Sequence, residues 1–300
     1  MMIDKVARQT TSGTGHLPAV SHSKWRRTWP RRILVYTFLF AGVVVFLFPF
    51  LWMLATSLKT TQQIAQFPLA LWIRHFHFRN YVVALTAFGF WIHLRNSALT
   101  TLIPVIGTLL SSSLAGFAFA RIRIRGSGII FLFVLATMLL PGEVTLIPQF
   151  VLFRELGMIN SLYPLIIPSF FGSPFYIFLM RQFYSRLPRA IEEQARMDGC
   201  SYLRMWWSIF LPLSKPALAA VGVLVFIGNW NNFLGPLIYI NTSNWQTLPM
   251  ALAGFQSSHS TNTNLLMAAT LVIILPCILL FFFAQKTFTQ GLTFTGSQEN

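Results

Sequence analysis

Long apolar runs alternate with short polar segments along almost the whole chain. Six of these runs approach the roughly 20 residues that a helix needs to cross about 30 Å of hydrocarbon. They lie at 33–55, 97–119, 128–149, 162–180, 216–240 and 265–285. Only 10% of the residues are charged and 55% are hydrophobic, whereas soluble domains have about a quarter charged residues. The pattern predicts an all-α integral membrane protein with six transmembrane helices.

The positive charge is distributed unevenly between the two sides that this topology defines. An even number of spans places both termini on one side, and that side holds 17 of the 22 Lys and Arg residues. Cytoplasmic loops carry such an excess, so both termini are predicted to be cytoplasmic. The net charge of +15 is thereby explained by membrane topology, without nucleic acid as a partner. Residues 1–30 are predicted to form a flexible basic tail and 31–295 the transmembrane domain, followed by a short tail at 296–300.

Two of the apolar runs contain residues that interrupt a helix. Pro141 and Gly142 lie within the third run, and the stretch from Gly228 to Pro236 lies within the fifth. Non-helical backbone at membrane depth is tolerated only where protein or a water-filled cavity satisfies its polar groups. These positions are therefore candidates for lining a solute pathway, and simple helix kinks are the alternative.

A polar cluster in the fifth run supplies candidate binding residues. Asn229, Trp230, Asn231 and Asn232 are expensive to place in lipid unless they face a cavity or another helix. Neutral amides and an aromatic plane suit a neutral polyhydroxy solute, and interhelical hydrogen bonding is the alternative. Glu143 is the only acid that could lie within a span, and either a transport role or a purely structural role is open for it.

The charged segment 181–215, between the fourth and fifth runs, has the signals of two short helices. Pro188 suits a first helical position and Gly199 the position after the helix end. Ser201 can cap a second helix that ends near Pro212. The second helix has an apolar stripe with helical spacing, which predicts one face that is buried against the membrane domain or in the membrane interface. Its members are Leu203, Trp206, Trp207 and Phe210.

Several catalytic and binding chemistries find no support in the sequence. The chain has no Gly-Lys dipeptide and therefore no phosphate-binding loop of the G-x-x-x-x-G-K-[ST] kind. No His lies within an apolar run, and the two cysteines, Cys200 and Cys277, imply no disulfide framework. We expect no catalytic centre, no metal site and no cofactor in this chain, so that any ATP is used by a partner.

The charged segment also carries a family resemblance. The sequence EQARMDG at 193–199 is followed after nine residues by IFLP at 209–212. This pattern resembles the cytoplasmic loop of ABC importer permeases, in which E-A-A, three residues, G and nine residues precede I-x-L-P. Gln194 stands where the family has the middle Ala. Four further segments are similar to carbohydrate-type permeases: LLPGEVTLIP at 139–148, LPLSKP at 211–216, NWNNFL at 229–234 and QGLT at 290–293.

The resemblance covers about residues 33–295 and is closest to the second permease subunit of maltose-type uptake systems. It implies the transmembrane domain of a type I ABC importer (MetI-like) in the inner membrane of a prokaryote. The implied partners are a paralogous permease, two cytoplasmic ATPase subunits that hold ATP and Mg²⁺, and an extracytoplasmic solute-binding protein. The implied ATPase-coupling loop contains Glu193, Ala195, Asp198, Gly199, Ile209, Leu211 and Pro212.

The resemblance implies import of a sugar, a polyol or an oligosaccharide. An importer for another solute, such as a glycerol phosphate ester, and a stand-alone membrane protein are the alternatives. Many relatives carry Asp where Asn232 stands and Gln where Glu143 stands, so these two positions depart from the family pattern. A phosphate ligand would favour Arg or helix N-termini in the pathway, and no Arg is predicted in the middle of a span.

Overall fold

The computed structural model describes residues 23–65, 75–87, 89–258 and 262–293, and these ranges contain helices and no strand. The α-helices are α1 Ser23–Ser57, α2 Thr61–Ala65, α3 Arg79–Ala87, α4 Phe90–Arg121, α5 Ser127–Ala136, α6 Gly142–Glu155, α7 Tyr163–Ile166, α8 Pro174–Arg186, α9 Arg189–Met197, α10 Tyr202–Met205, α11 Leu211–Leu213, α12 Lys215–Trp230, α13 Leu234–Tyr239, α14 Leu248–Ser258 and α15 Thr263–Thr293. Short 3₁₀ helices lie at Thr137–Leu139, Ile167–Phe171 and Ser243–Trp245, and a π-helical turn at Trp206–Phe210. The all-α prediction is confirmed.

Four helical stretches of the described chain are long and apolar enough to cross a membrane. They are Arg32–Ser57, Phe90–Arg121, Tyr163–Arg186 and Thr263–Gln285. Two bent pairs raise the number to six if each counts as one span: Ser127–Leu139 with Gly142–Glu155, bent by 97°, and Tyr202–Leu213 with Lys215–Trp230, bent by 81°. The predicted break in the third run at Pro141 is therefore confirmed.

The predicted fifth run, 216–240, is divided in the structure. Helix α12 ends at Trp230, and α13 begins only at Leu234. The N-terminal side also differs from the expectation, because residues 202–213 combine with α12 in the bent pair although the sequence placed them in a loop. Of the predicted tails, residues 1–22 and 294–300 lie outside the described residues, and α1 begins at Ser23.

The chain divides into two compact units between Trp52 and Met53. In its described part, the first unit is the larger part of α1, whose sequence is apolar through most of its turns from Ile33 onward. The second unit contains the remaining helices, and every contact discussed below lies within it.

The close approach of α4 and α8 forms the centre of the second unit. Phe117 of α4 and Met180 and Tyr184 of α8 are buried together. Gly116 allows this approach, because a Cβ added there would lie 2.7 Å from Met180 Cβ. Small residues at helix interfaces let the backbones of membrane helices approach closely, and here that closeness brings the aromatic side chains into one core.

Arg121 joins the C-terminal ends of these two helices. Its Nη2 donates hydrogen bonds to the carbonyl oxygens of Tyr184 and Leu187. Its guanidinium carbon also lies 5.1 Å from the centroid of the Phe210 ring. The last carbonyl groups of a helix have no partner within the helix, so the buried Arg121 side chain satisfies the end of α8 and contacts the π-helical turn as well.

At the opposite end of α4, a second set of hydrogen bonds holds the segment that precedes α14. Asn96 Nδ2 donates to the carbonyl oxygens of Asn244 and Gln246, at 2.8 and 2.9 Å. The Leu248 amide donates to Ser97 Oγ at 2.8 Å. Helix α4 therefore fixes connections at both of its ends.

We expect Gly116→Ala to lower the thermal stability of the purified protein in detergent. The new Cβ would overlap Met180 Cβ and would lie 2.9 Å from the backbone nitrogen of Arg181, and such overpacking costs about 1–3 kcal/mol. Gly128→Ala is the matched control, since nothing lies within 4 Å of its Cβ and alanine favours a helix by up to about 1 kcal/mol. An unfolding temperature for Gly116→Ala at or above that of Gly128→Ala would contradict this packing.

Candidate functional site

The predicted loop helix is α9, Arg189–Met197, and a Schellman motif ends it. Gly199 has φ +72°, and its amide donates to Arg196 O at 3.0 Å. The Cys200 amide donates to Ala195 O at 2.9 Å. These two bonds satisfy carbonyl groups at the helix end, so the predicted role of Gly199 is confirmed. Pro188 lies one residue earlier than predicted, as the N-cap residue.

Helix α9 has one inward and one outward side. Ala195 is 5% exposed and belongs to the core around Phe117 and Tyr184. Glu193 and Asp198 are exposed. Met197 is 89% exposed at the end of the helix, and sequence reasoning missed it because a single Met carries no periodic signal. Ala195 and the half-buried Ile191 therefore attach α9 to the core, while Glu193, Met197 and Asp198 form an exposed tip.

The second helix of the loop differs from the predicted one. Ser201 Oγ accepts a hydrogen bond from the Arg204 amide at 3.4 Å, which confirms the predicted cap. Beyond it, the π-helical turn shifts the helical register by widening one turn of the helix. The apolar stripe is therefore divided: Trp206 and Phe210 are buried, whereas Leu203 and Trp207 are 63% and 58% exposed. The prediction that the stripe packs against the membrane domain is therefore wrong for Leu203 and Trp207, and the alternative of a face in the membrane interface stays a prediction.

The I-x-L-P residues lie between this helix and the core. Ile209 and Leu211 are half-buried and pack against the cluster that contains Phe210, and Pro212 is exposed. Helix α11 then ends at Leu213, and Ser214 hydrogen-bonds through its Oγ to Tyr184 Oη at 3.1 Å. The loop is consequently attached to α8 at several points and is not a freely hanging segment.

A cavity of about 520 Å³ lies between α4, α6, the α7–α8 region, α12 and α13. Three of the five predicted pathway residues line it, namely Glu143, Asn229 and Asn232. The other polar lining residues were not singled out from the sequence, since they come from separate elements and share no local pattern. They are Thr108, Gln149, Ser169, Ser173, Tyr176 and Tyr239.

Three interruptions of helices meet at this cavity. The first is the 97° bend before Gly142, the second lies at Gly172 and Ser173 before α8, and the third is the gap between α12 and α13 that contains Asn232. Asn232 Oδ1 accepts a hydrogen bond from the Gly235 amide at 3.0 Å, which satisfies the start of α13. Two of these breaks were predicted to line a pathway or to be kinks. Both border the cavity, and their role in a solute pathway stays a prediction.

Trp230 and Asn231 do not line the cavity. Trp230 is buried on the other side of α12, where its ring stacks on Phe226 and its Nε1 donates to Ile273 O of α15 at 3.0 Å. Asn231 is exposed, and its Nδ2 donates to Ile227 O. Trp230 was a candidate for lining a pathway, with interhelical hydrogen bonding as the alternative, and in the structure it packs and hydrogen-bonds between helices.

The cavity lining carries little charge. Glu143 is its only carboxylate, and no Lys, Arg or His is among the described residues that line it. Glu143, Leu146 and Gln149 line the cavity from α6 at spacings of three residues, and the hydroxyl groups of the lining come from other elements. Across the described residues, no group of three or more His, Cys, Asp or Glu side chains could hold a metal ion. The lining can donate and accept neutral hydrogen bonds.

Comparison with known proteins agrees with this architecture. Residues 107–294 match the family described as binding-protein-dependent transport system inner membrane component. The arabinooligosaccharides transport system permease protein AraQ of Bacillus subtilis (strain 168) is 35% identical over 268 residues, covering 88% of this chain and 95% of that protein. The diacetylchitobiose uptake system permease protein DasC of Streptomyces coelicolor is 34% identical over 281 residues, covering 91% and 98%.

A third relative and a solved structure extend the comparison. The lactose transport system permease protein LacG of Rhizobium radiobacter is 32% identical over 266 residues, covering 87% of this chain and 94% of that protein. The crystal structure of a bacterial ABC transporter involved in the import of the acidic polysaccharide alginate contains a chain with a TM-score of 0.76 and 25% identity. The match covers 87% of this chain and 97% of that chain.

The helical architecture, the exposed loop and the polar cavity define a membrane permease. The chain belongs to the family of inner membrane components of binding-protein-dependent transport systems. It is accordingly a permease subunit of an ABC importer, a class that works with an ATPase and a solute-binding protein. The predicted family and the type I importer fold are confirmed.

We expect Gly199→Val to reduce ATP-dependent uptake and Gly199→Asn to preserve most of it. Nothing lies within 4 Å of a Cβ at this position, so the cost is purely conformational. A left-handed residue costs about 1–2 kcal/mol, or a factor of about 5–30 in population, whereas Asn adopts this region readily. Uptake and ATPase co-purification are measured at equal expression. Equal activity of the two variants would exclude a role for the turn.

Proposed function

We propose that this chain is one of two paired permease subunits that admit a neutral sugar or oligosaccharide into a prokaryotic cell. The observation that carries the proposal is the cavity, whose polar groups are mainly amides and hydroxyl groups. Binding pockets for small molecules have volumes of about 300–1,000 Å³, and about 520 Å³ falls within this range. The relatives named above act on arabinooligosaccharides, diacetylchitobiose and lactose, which supports a carbohydrate.

The charge of the lining argues against the phosphate ester alternative. Phosphate groups are bound by Arg, Lys or the N-termini of helices. The cavity borders the N-terminal ends of α6, α8 and α13, so helix N-termini are present there. The described lining nevertheless offers no cationic side chain, and the Glu143 carboxylate at the start of α6 would repel a phosphate. A neutral sugar meets no such repulsion, and Tyr176 and Tyr239 provide aromatic rings with hydroxyl groups.

The exposed tip of α9 is the proposed docking surface for the ATPase. Glu193, Met197 and Asp198 are exposed there, Gly199 forms the turn, and Ala195 acts as the internal attachment. Ile209, Leu211 and Pro212 would transmit the movement of α9 to α12. They lie in Tyr202–Leu213, the first member of the bent pair, which leads directly into α12. Both termini and this loop would face the cytoplasm, as the distribution of Lys and Arg predicts.

The proposed assembly contains a paralogous permease, two ATPase subunits and an extracytoplasmic binding protein. In it, residues 31–295 form the permease domain, and 1–30 and 296–300 are tails. ATP and Mg²⁺ would be held by the ATPase subunits, with no catalytic centre or cofactor in this chain. The binding protein would deliver the solute to the outer side, and membrane lipid would surround the paired permeases.

Reconstitution with its partners tests the proposal directly. Tagged protein is purified in mild detergent, the proteins that co-purify are identified, and the complete complex is placed in vesicles with labelled solutes. We expect a second permease and an ATPase to co-purify, and ATP-dependent uptake of a neutral oligosaccharide that glycerol phosphate esters do not inhibit. Uptake of a phosphate ester in preference to every neutral sugar would overturn the assignment of the solute.

Asn229 and Asn231 provide a matched pair for testing the cavity. Each Nδ2 donates to the carbonyl oxygen four residues earlier at 2.9 Å, but only Asn229 lines the cavity. We expect Asn229→Ala to raise the KM for uptake by about two- to tenfold, which corresponds to one hydrogen bond of about 0.5–1.5 kcal/mol. Asn231→Ala should leave KM unchanged. Equal effects of both substitutions would show that the cavity does not contact solute.

A further inference from the structure

The segment Tyr202–Leu213, called the elbow segment below, has an orientation and exposed apolar side chains that the proposed coupling role of Ile209, Leu211 and Pro212 does not explain. It meets α12 at an angle of 81°. Its 12 residues span about 18 Å at 1.5 Å per residue, which is too short to cross about 30 Å of hydrocarbon. If α12 follows the membrane normal, the elbow segment runs nearly parallel to the membrane surface.

One side of the elbow segment is occupied by the protein itself. Met205, Trp206 and Phe210 are buried in the core that also contains Ala195 of α9. Three other apolar side chains of the segment are exposed, namely Leu203 and Trp207, which are spaced by four residues and therefore share a helix face, and Leu213 beyond them. Trp and Leu on one side of a helix that lies in the membrane plane are typical of interfacial helices, and Trp is enriched at the boundary between membrane and water.

The charges of the loop are segregated between its two helices. The stretch 189–198 contains three acids and two arginines, whereas 202–215 contains Arg204 and Lys215 and no acid. Both of these cations are exposed, and they lie near the two ends of the elbow segment. Cations beside exposed Trp and Leu complement the anionic headgroups of the cytoplasmic leaflet.

We propose that the exposed side of the elbow segment is a lipid-binding surface in the cytoplasmic leaflet. Leu203 and Trp207 enter the boundary between headgroups and acyl chains, and Arg204 and Lys215 bind anionic headgroups. The proposal rests on the cytoplasmic location of the loop given under the proposed function. Lipid would then be a further partner, one that sets the position of the coupling loop relative to the membrane surface. Helix α9 follows the elbow segment because the Schellman motif joins them and because the guanidinium carbon of Arg196 lies 5.6 Å from the Tyr202 ring centroid.

Site-directed spin labelling of the complete importer in nanodiscs tests the location of the surface. Native Cys200 and Cys277 are replaced by Ser, and a nitroxide is attached to Leu203→Cys or Trp207→Cys. The control is the exposed docking-tip variant Met197→Cys, measured after the ATPase subunits are removed. We expect collisions with oxygen to exceed those with an aqueous nickel complex at 203 and 207, with a depth of about 5–10 Å. At 197 oxygen should have no such advantage.

Two outcomes would overturn the location. Predominant collisions with the aqueous complex at 203 and 207 would place the surface in water. Shielding from both reagents that disappears when the ATPase subunits are removed would assign the surface to the ATPase. Uptake of the solute is measured on the same labelled complexes, so that a failure of the proposed transport function is recorded separately from a failure of lipid contact.

The role of the cations is tested by titrating phosphatidylglycerol into phosphatidylcholine nanodiscs and following the label at 207. Arg204→Gln and Lys215→Gln should each weaken the response to the anionic lipid by about fivefold, as expected for one cation near a charged surface. Arg154→Gln is the control, because Arg154 lies on α6 and pairs with Glu155. If the label at 207 responds to phosphatidylglycerol equally in all three variants and in the chain with Arg204, Lys215 and Arg154 intact, anionic lipid is excluded as the ligand of Arg204 and Lys215.

Discussion

A polypeptide in hydrocarbon must satisfy its backbone polar groups internally, and this constraint explains where the chain interrupts its helices. Outside helices, each free amide or carbonyl group requires a protein partner or water. The breaks near Gly142, at Gly172 and at Asn232 all border one cavity. Asn232 reduces the energetic cost of one unpaired backbone group, since its side chain accepts a hydrogen bond from the Gly235 amide at the start of α13. The breaks require polar surroundings, and the polar groups at the breaks themselves provide these surroundings by lining the cavity. A hydrophilic solute can bind in such a cavity.

The second requirement is that movement at the docking loop reaches this cavity. The loop is not attached by chain connectivity alone. Ala195, Phe210 and Tyr184 share one core, and Arg121 holds the carbonyl end of α8 while its guanidinium group lies over the Phe210 ring. Closely packed cores transmit displacement because their side chains cannot move independently. Under the proposed function, displacement of α9 would be passed through this core to α8 and α12, and residues of both helices line the cavity.

Local signals in the sequence predicted the local features of the structure. The turn at Gly199 and the cap at Ser201 depend on a few neighbouring residues, and both are found as predicted. The break at Pro141 follows in the same way from proline chemistry. The interruption at Gly172 was missed although Gly172, Ser173 and Pro174 are a local turn signal, because the apolar residues on both sides were interpreted as one continuous span.

Features that depend on tertiary packing were harder to predict from the sequence. The polar cluster at 229–232 was identified, but only contacts with α15 and α13 show that Trp230 faces the protein and Asn229 the cavity. The π-helical turn had no sequence signal, so ideal helical spacing placed Leu203 and Trp207 on the buried side. Tyr176 and Tyr239 are 63 positions apart in the chain and meet at the cavity only through the fold. Such pairings follow from the packing of separate helices, which a periodic pattern in one helix does not determine.

The positive charges are distributed unevenly between the cavity lining, the protein core and the loop, and these regions therefore differ in what they can bind. No Lys or Arg is found in the described lining of the cavity, although the chain has 22 of these residues. A cation there would bind anions tightly and would need its own counter-charge away from water. Arg121 is instead used inside the protein, where carbonyl groups and an aromatic ring compensate its burial. Arg189, Arg196, Arg204 and Lys215 are exposed in or beside the loop. Under the proposals above, these cations would interact with partners and membrane, while the solute would meet weak, reversible hydrogen bonds. A transport pathway requires this difference, because a solute that bound strongly would not be released.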